Sequence, residues 1–204
     1  MIMEHLPKLQ TKNIVLASQS PRRREILTLM GLPFTPVPSQ FEENLDKSSF
    51  KSPRDYVMAN AHGKAADVAA SQTDYDLVIG SDTVVVLDGK VLEKPKSEGE
   101  AFRMLAQLSG RQHTVATGVS LIAKGDTTRT FAEETSVWFA HLSDDVIGAY
   151  IKTGEPMDKA GAYGIQGRGG ALVRRIEGCY FTVMGLPMHA LAREIAELCK
   201  EHLL

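Results

Sequence analysis

Short apolar runs alternate along this chain with stretches of helical spacing, and Gly, Pro or Ser marks most of the changes. Residues 13–17 (NIVLA) read as a buried strand. Ser20 then suits a helix N-cap and Pro21 the first helical position, with Ile26, Leu27 and Met30 inward and Gly31 as the stop. A second helix is expected from Ser52-Pro53, where Asp55 completes a capping-box-like pattern, through an Ala-rich run to Ala70. Residues 77–79 form a strand that ends at Gly80-Ser81-Asp82-Thr83. Residues 84–87 and 90–92 then pair as a hairpin across Asp88-Gly89.

Ser97 with Glu100 opens a third helix that Gly110 closes, and long strands follow at 112–123 and 130–139, joined around Lys124-Gly125-Asp126. Ser143 caps a helix with Asp144 and Asp145 in its first turn. Beyond Gly154 come a glycine-rich loop, strands at 171–176 and 181–183, and an amphipathic helix from Pro187 to Glu201. The order is mixed α/β, with hairpins interrupting the βα units, so a uniform alternation is not expected.

Composition narrows the function classes. With 204 residues, 43% hydrophobic and 24% charged, the chain can bury a core without disulfides. Cys179 and Cys199 have no metal-ligand spacing and read as reduced packing residues. The start, MIMEHLPKLQ, lacks the basic-then-apolar pattern of an export signal, and no apolar run is long enough for a membrane span. A net charge of −2 gives nucleic-acid binding no support. The expected setting is the cytoplasm.

Four segments carry candidate chemistry. Ser18-Gln19-Ser20-Pro21-Arg22-Arg23-Arg24 leaves a strand and opens a helix, bringing backbone N–H groups, hydroxyls and guanidinium groups together as a phosphate site would. A well-capped helix with a solvated basic face is the more ordinary reading of those residues taken alone. Asp82 stands where open α/β sheets place ligands, and suits a metal ligand, a base for water, or a turn aspartate. Lys94 in Leu92-Glu93-Lys94-Pro95 is a common surface pattern. Residues 155–170 hold five glycines within ten positions around Gln166, and Tyr163 and Ile165 give that loop apolar anchors that a linker lacks. Glu42 and Glu43 are loop acids that suit a second metal carboxylate, and Lys64 on the Ala-rich helix reads by default as solvated.

The set LASQSPRRREIL, FEENLD, the lysine of NAHGKA, IGSDTVV, LEKP, LSGRQHTVATGV and GEPMDKAGAYGIQGRGG resembles, in this order, the Maf family of nucleotide pyrophosphatases. The resemblance runs from Leu16 to Pro187, and the DKAGAYGIQG segment is its most specific part. It implies one domain over 1–204, with a mixed, strongly twisted sheet in two lobes and an active cleft between them, similar in shape to inosine triphosphate pyrophosphatases. It implies hydrolysis of a nucleoside triphosphate to monophosphate and pyrophosphate, with Asp82 as catalytic base. Ser20, Arg23, Lys64 and Lys94 match the family's polar and basic positions, and Glu43 its acidic one. Glu43 and Asp82 would hold a divalent cation such as Mg²⁺, Mn²⁺ or Co²⁺. Arg22, Thr83 and Gln166 match positions of base selection, and the Asp-Thr pair with Gln166 resembles the subgroup that prefers dTTP and UTP. Arg168 departs from the pattern, which has a smaller or apolar residue there. The partner implied is a free nucleotide, with a homodimer left open; the alternative is a cell-division regulator that binds nucleotide without catalysis.

Overall fold

Residues 14–17 are apolar at every position, which suits a strand covered on both faces and paired in parallel. In the computed structural model, which describes residues 1–125 and 127–204, a short helix α1 (Leu6–Leu9) precedes this strand, β1 (Ile14–Ala17). Then follow α2 (Pro21–Leu29), β2 (Thr35–Pro36), α3 (Pro53–Ser71), β3 (Leu77–Leu87) and β4 (Lys90–Leu92). The remaining elements are α4 (Glu98–Leu108), β5 (Gln112–Ala123), β6 (Thr127–Phe139), α5 (Asp144–Ile151), β7 (Val173–Glu177), α6 (Tyr180–Met184) and α7 (Met188–Lys200). The strands hydrogen-bond in the order β2-β1-β3-β5-β6-β7, with β4 on β3, so the fold is mixed α/β as expected.

The chain divides into two compact units. The first comprises Met1–Asp82, Thr117–Glu133 and Gly185–Leu204. There β1 pairs in parallel with both β2 and β3, from Ile14 beside Leu77 to Ala17 beside Gly80. Val15, Ala17, Ala65, Val68, Val78 and Ile122 pack together beneath α3. Ser52 caps α3, its hydroxyl accepting the Asp55 N–H at 3.2 Å. Among the described residues no helix is long and apolar enough to cross a membrane.

The second unit comprises Thr83–Ala116 and Glu134–Met184. Its hairpin pairs Val85 with Leu92 and Leu87 with Lys90 across a turn at Asp88 (φ 51°) and Gly89 (φ 74°). Antiparallel pairing of β6 with β7 sets Trp138 opposite Arg175, whose guanidinium covers the indole at 4.6 Å. Leu105, Leu108, Val115, Val137, Phe139, Ile147 and Tyr163 belong to one core cluster. Burying such a large apolar side chain contributes about 1.5–3 kcal/mol relative to leaving it exposed.

Two expectations are corrected. Gly80-Ser81-Asp82-Thr83 does not turn the chain after residue 79, because β3 continues through it to Leu87. Glycine signals a strand end in sequence, but here it marks a close backbone approach instead. Residues 181–183 lie in α6, not in a strand: Gly178 (φ 124°) takes the chain out of β7, and the Thr182 N–H returns to the Cys179 carbonyl at 3.1 Å. So short an apolar run carries no periodicity that separates strand from helix. The expected turn at 124–126 includes Asp126, which lies outside the described residues.

Candidate active site

Parallel pairing ends where Ala17, the last residue of β1, lies against Gly80, partway along β3. Ser18 is therefore one residue past that pair and Asp82 two, both beside the carboxyl end of β1, the strand end at which α/β sheets place ligands. Two glycines bring the other groups in. A Cβ on Gly80 would sit 2.2 Å from the Ala61 carbonyl oxygen, so only glycine lets α3 lie this close to β3. Alternation along the strand puts Asp82 on the face of Gly80, and Lys64 lies one helical turn beyond Ala61. Gly63 similarly leaves room for the Phe41 ring, whose atoms would be 2.4 Å from a Cβ there. Asp67 ties down the same segment, accepting the Ser39 hydroxyl at 2.8 Å and the Gln40 N–H at 2.7 Å, and so delivers Glu43 to α3.

The result is a charged cluster inside the first unit. Lys64 Nζ donates to Asp82 Oδ1 at 2.8 Å and lies 2.9 Å from Glu43 Oε2. Lys64 and Asp82 are only 9% and 6% exposed, whereas 46% of the Glu43 side chain faces solvent, so the cluster is buried at one end and open at the other. Half-buried Arg23 donates from Nε to the Gly185 carbonyl at 2.8 Å and from Nη1 to Ser18 Oγ at 3.1 Å. Burial draws its guanidinium below the ordinary arginine range, against the opposing charges of Asp82 and Glu43. For Asp82, burial works against the charge, but Lys64 and then Arg23 outweigh it and hold the carboxyl below its ordinary range. Asp82 is therefore ionised at neutral pH.

Of the residues singled out in the sequence, Arg23, Glu43, Lys64 and Asp82 come together in this unit. Lys64 is not the solvated lysine that its helix suggests by default. Ser20 is the N-cap residue of α2 with Pro21 at the first position, yet its side chain does not cap the helix, and Arg22 follows it half-buried. Thr83 succeeds Asp82 on β3 as the first residue of the second unit.

Lys94 and Gln166 belong to the second unit and are exposed. There the Gly161 N–H donates to the Glu93 carbonyl at 3.1 Å, docking residues 160–162 beside the segment that carries Lys94. Exposed Arg168 uses its backbone N–H on Glu155. Ser18 and Ser81 have no role assigned from sequence. Ser18 accepts from Arg23 and from the Ser20 N–H at 3.2 Å, and Ser81 donates to the same Gly185 carbonyl that receives Arg23, at 3.0 Å. A glycine inside the Ala-rich helix is the one sequence signal for the Phe41–Glu43 docking, because glycine there costs about 1 kcal/mol relative to alanine and so implies a packing reason.

The sequence pattern described as Maf-like protein matches residues 13–198. A Bacillus thuringiensis protein named dTTP/UTP pyrophosphatase is 47% identical, over 91% of this chain and 95% of that protein. A Bacillus cereus protein of the same name is 47% identical, over 97% and 96%. A human protein named probable bifunctional dTTP/UTP pyrophosphatase/methyltransferase is 46% identical over 94% of this chain, which spans only 33% of that longer protein. Among solved structures, the Staphylococcus aureus Ham1 protein overlaps in part, with TM-score 0.43 and 19% identity over 63% of this chain and 72% of that one. With its family pattern covering all but the two ends, and relatives of nearly half identity along nearly the whole length, this chain belongs to the Maf family.

Proposed function

We propose that this chain hydrolyses nucleoside triphosphates to a monophosphate and pyrophosphate, with dTTP and UTP preferred, as the names of its relatives state for those proteins. The observation that carries the reading is Lys64 set between Asp82 and Glu43 where β1 ends its parallel pairing with β3. Phosphate oxygens repel an electron-rich nucleophile, so positive charge must be gathered before water can approach the α-phosphorus. Arg23 and Lys64 are already fixed by their own partners and need little rearrangement to supply it. Ser20 and Arg22 stand at the start of α2, where a helix favours anions.

In this reading Asp82 accepts a hydrogen bond from the attacking water and aims its oxygen at the α-phosphorus. The new P–O bond forms as the water's proton passes to Asp82 and the bond to the bridging oxygen breaks, and pyrophosphate leaves with that electron pair. Lys64 and Arg23, which hold this carboxyl below its ordinary range, keep it charged and so able to orient the water and accept its proton. Lys94 is assigned to the departing pyrophosphate, and Arg22, Thr83 and Gln166 to the base. The substrate is a free nucleotide of the cytoplasm.

A divalent cation fits these residues. Glu43 and Asp82 already share one positive partner, and both offer the hard oxygen ligands that Mg²⁺ and Mn²⁺ take. Among the described residues no group of three or more His, Cys, Asp and Glu is placed to hold an ion. The protein would thus supply two carboxylates, the usual share for an Mg²⁺-type ion completed by waters and substrate phosphates. Bound there, the cation would offset phosphate charge and acidify water.

The test is product analysis with the purified protein, against all common triphosphates, with magnesium, manganese or cobalt. Pyrophosphate from dTTP and UTP is expected. Orthophosphate instead would place attack at the γ-phosphorus and overturn the mechanism. Saturable nucleotide binding without turnover would favour a regulator that only binds.

A further inference from the structure

The glycine-rich segment of the second unit is not a loose loop. Glu155 opens a 3₁₀ turn (Glu155–Asp158), and its carboxylate has three hydrogen-bond donors. Its Oε2 accepts the Arg168 N–H at 2.9 Å, while Oε1 accepts the Gly169 N–H at 3.0 Å and the Tyr150 hydroxyl at 2.9 Å. The Tyr150 oxygen in turn accepts the Gly164 N–H at 3.1 Å. One residue earlier, buried Tyr163 has its hydroxyl 2.7 Å from His113 Nε2 and its ring edge-on to Phe139.

These contacts fall on both sides of Gln166. Residues 163 and 164 are held before it, and 168 and 169 after it. Gly167, the residue next to Gln166, passes so close to Glu155 that a Cβ would lie 2.6 Å from both carboxylate oxygens. Lys159 adds to the restraint by donating to the Glu155 carbonyl at 2.6 Å, with its stem against Gly164. Burial opposes the charge of Glu155, but the Gly169 and Arg168 N–H groups and the Tyr150 hydroxyl outweigh it, so the carboxyl stays below its ordinary range.

We propose that Glu155 is the positioning residue for base selection: it holds the backbone on both sides of Gln166, so that the exposed carboxamide meets the pyrimidine edge in one orientation. The proposal rests on the reading of Gln166 as the group that pairs with the base. Thymine and uracil offer an N–H flanked by carbonyl oxygens, so a carboxamide discriminates only if its acceptor and donor arrive in fixed order. A Gln166 on an unrestrained glycine loop would bind either way round and lose conformational freedom in doing so. An amide at 155 cannot substitute, because one of its two ends turns an N–H toward a backbone N–H.

The experiment measures kcat and KM for dTTP, UTP and CTP in wild type, Glu155→Gln, Tyr150→Phe, Gln166→Ala and the Glu155→Gln/Gln166→Ala pair, with melting curves for each. In Glu155→Gln the lead of dTTP over CTP is expected to fall about tenfold, through KM for dTTP more than through kcat, the size expected for a charge-assisted hydrogen bond. Tyr150→Phe should shift it the same way by less. Adding Glu155→Gln to Gln166→Ala should then change the lead little, as coupled residues do. If Gln166→Ala removes the lead while Glu155→Gln keeps it, the positioning role is overturned and the reading of Gln166 stands. If Gln166→Ala keeps the lead, that reading fails and the proposal with it. Should Glu155→Gln not fold, Tyr150→Phe decides, and an unchanged lead there overturns the proposal.

Discussion

The two units hold their working residues by opposite means. In the first, Asp82 and Lys64 stand on a strand and a helix whose separation Gly80 sets, and a single ammonium joins the carboxylates. In the second, Gln166 lies between 3₁₀ turns, flanked by backbone N–H groups that the side chains of Glu155 and Tyr150 accept. Regular elements give the first unit rigidity at low cost, which suits charges that must not move as a phosphate charge develops. Hydrogen-bonded restraint in the second lets short chain lengths between clamps define one exposed amide. A substitution at Asp82 or Lys64 should therefore cost turnover, and one at Gln166, Glu155 or Tyr150 should cost discrimination.

The largest effect is expected at Asp82. Asp82→Asn should lower kcat by about 10²–10⁴-fold, as for loss of a positioned proton acceptor, with a cooperative melt retained. A normally melting variant that keeps most of its activity would remove Asp82 from the mechanism. Lys64→Met leaves the buried Asp82 carboxylate without its direct donor, and should destabilise the fold by about 3–5 kcal/mol in urea unfolding. Adding Asp82→Asn to it should restore part of that stability but no activity. A Lys64→Met protein as stable as wild type would contradict the buried ion pair.

A smaller effect is expected from pH, through the second unit. Burial pushes the His113 imidazole down from 6.5 to about 4, so the folded protein keeps it neutral where the unfolded chain protonates. The sign follows: this stability is whole above pH 6.5 and is lost as pH falls toward 4, below which it levels off. Its size is of order 3 kcal/mol. Unfolding measured across that range should show wild type losing more stability than His113→Gln, whose side chain does not titrate. Parallel curves would show that His113 is not held neutral. The smallest effect expected is at Gln166. Gln166→Glu removes the amide donor, weakening dTTP and UTP and narrowing their lead over CTP by about tenfold, from roughly 1–3 kcal/mol of lost pairing. If kcat/KM falls by one factor for all three substrates, Gln166 does not read the base.

Most elements of both units are legible in the sequence, because caps such as Ser52, Ser97 and Ser143 and stops such as Gly31 and Gly110 act within a few residues of where they stand. Gly80 misleads for the opposite reason: its cause is the Ala61 carbonyl of another element, nineteen positions earlier in the chain by number alone. Asp82, Arg23 and Gln166 announce themselves by residue type and neighbours. The burial of Lys64 does not, since a lysine on an Ala-rich helix looks solvated until β3 is laid against it. Glu155 stands in plain view in its motif, yet its acceptor role depends on backbone N–H groups thirteen and fourteen residues away that no spacing rule links to it.

The central claim is that water is directed at the α-phosphorus from Asp82, and heavy-oxygen water tests it most directly. Hydrolysis of dTTP in water enriched in ¹⁸O, followed by mass spectrometry of both products, reports which phosphorus is attacked. The label is expected in the nucleoside monophosphate, with unlabelled pyrophosphate, and Asp82→Asn should suppress that labelled product along with turnover. Label in the pyrophosphate, or in orthophosphate, would mean that water attacks elsewhere and would contradict the account.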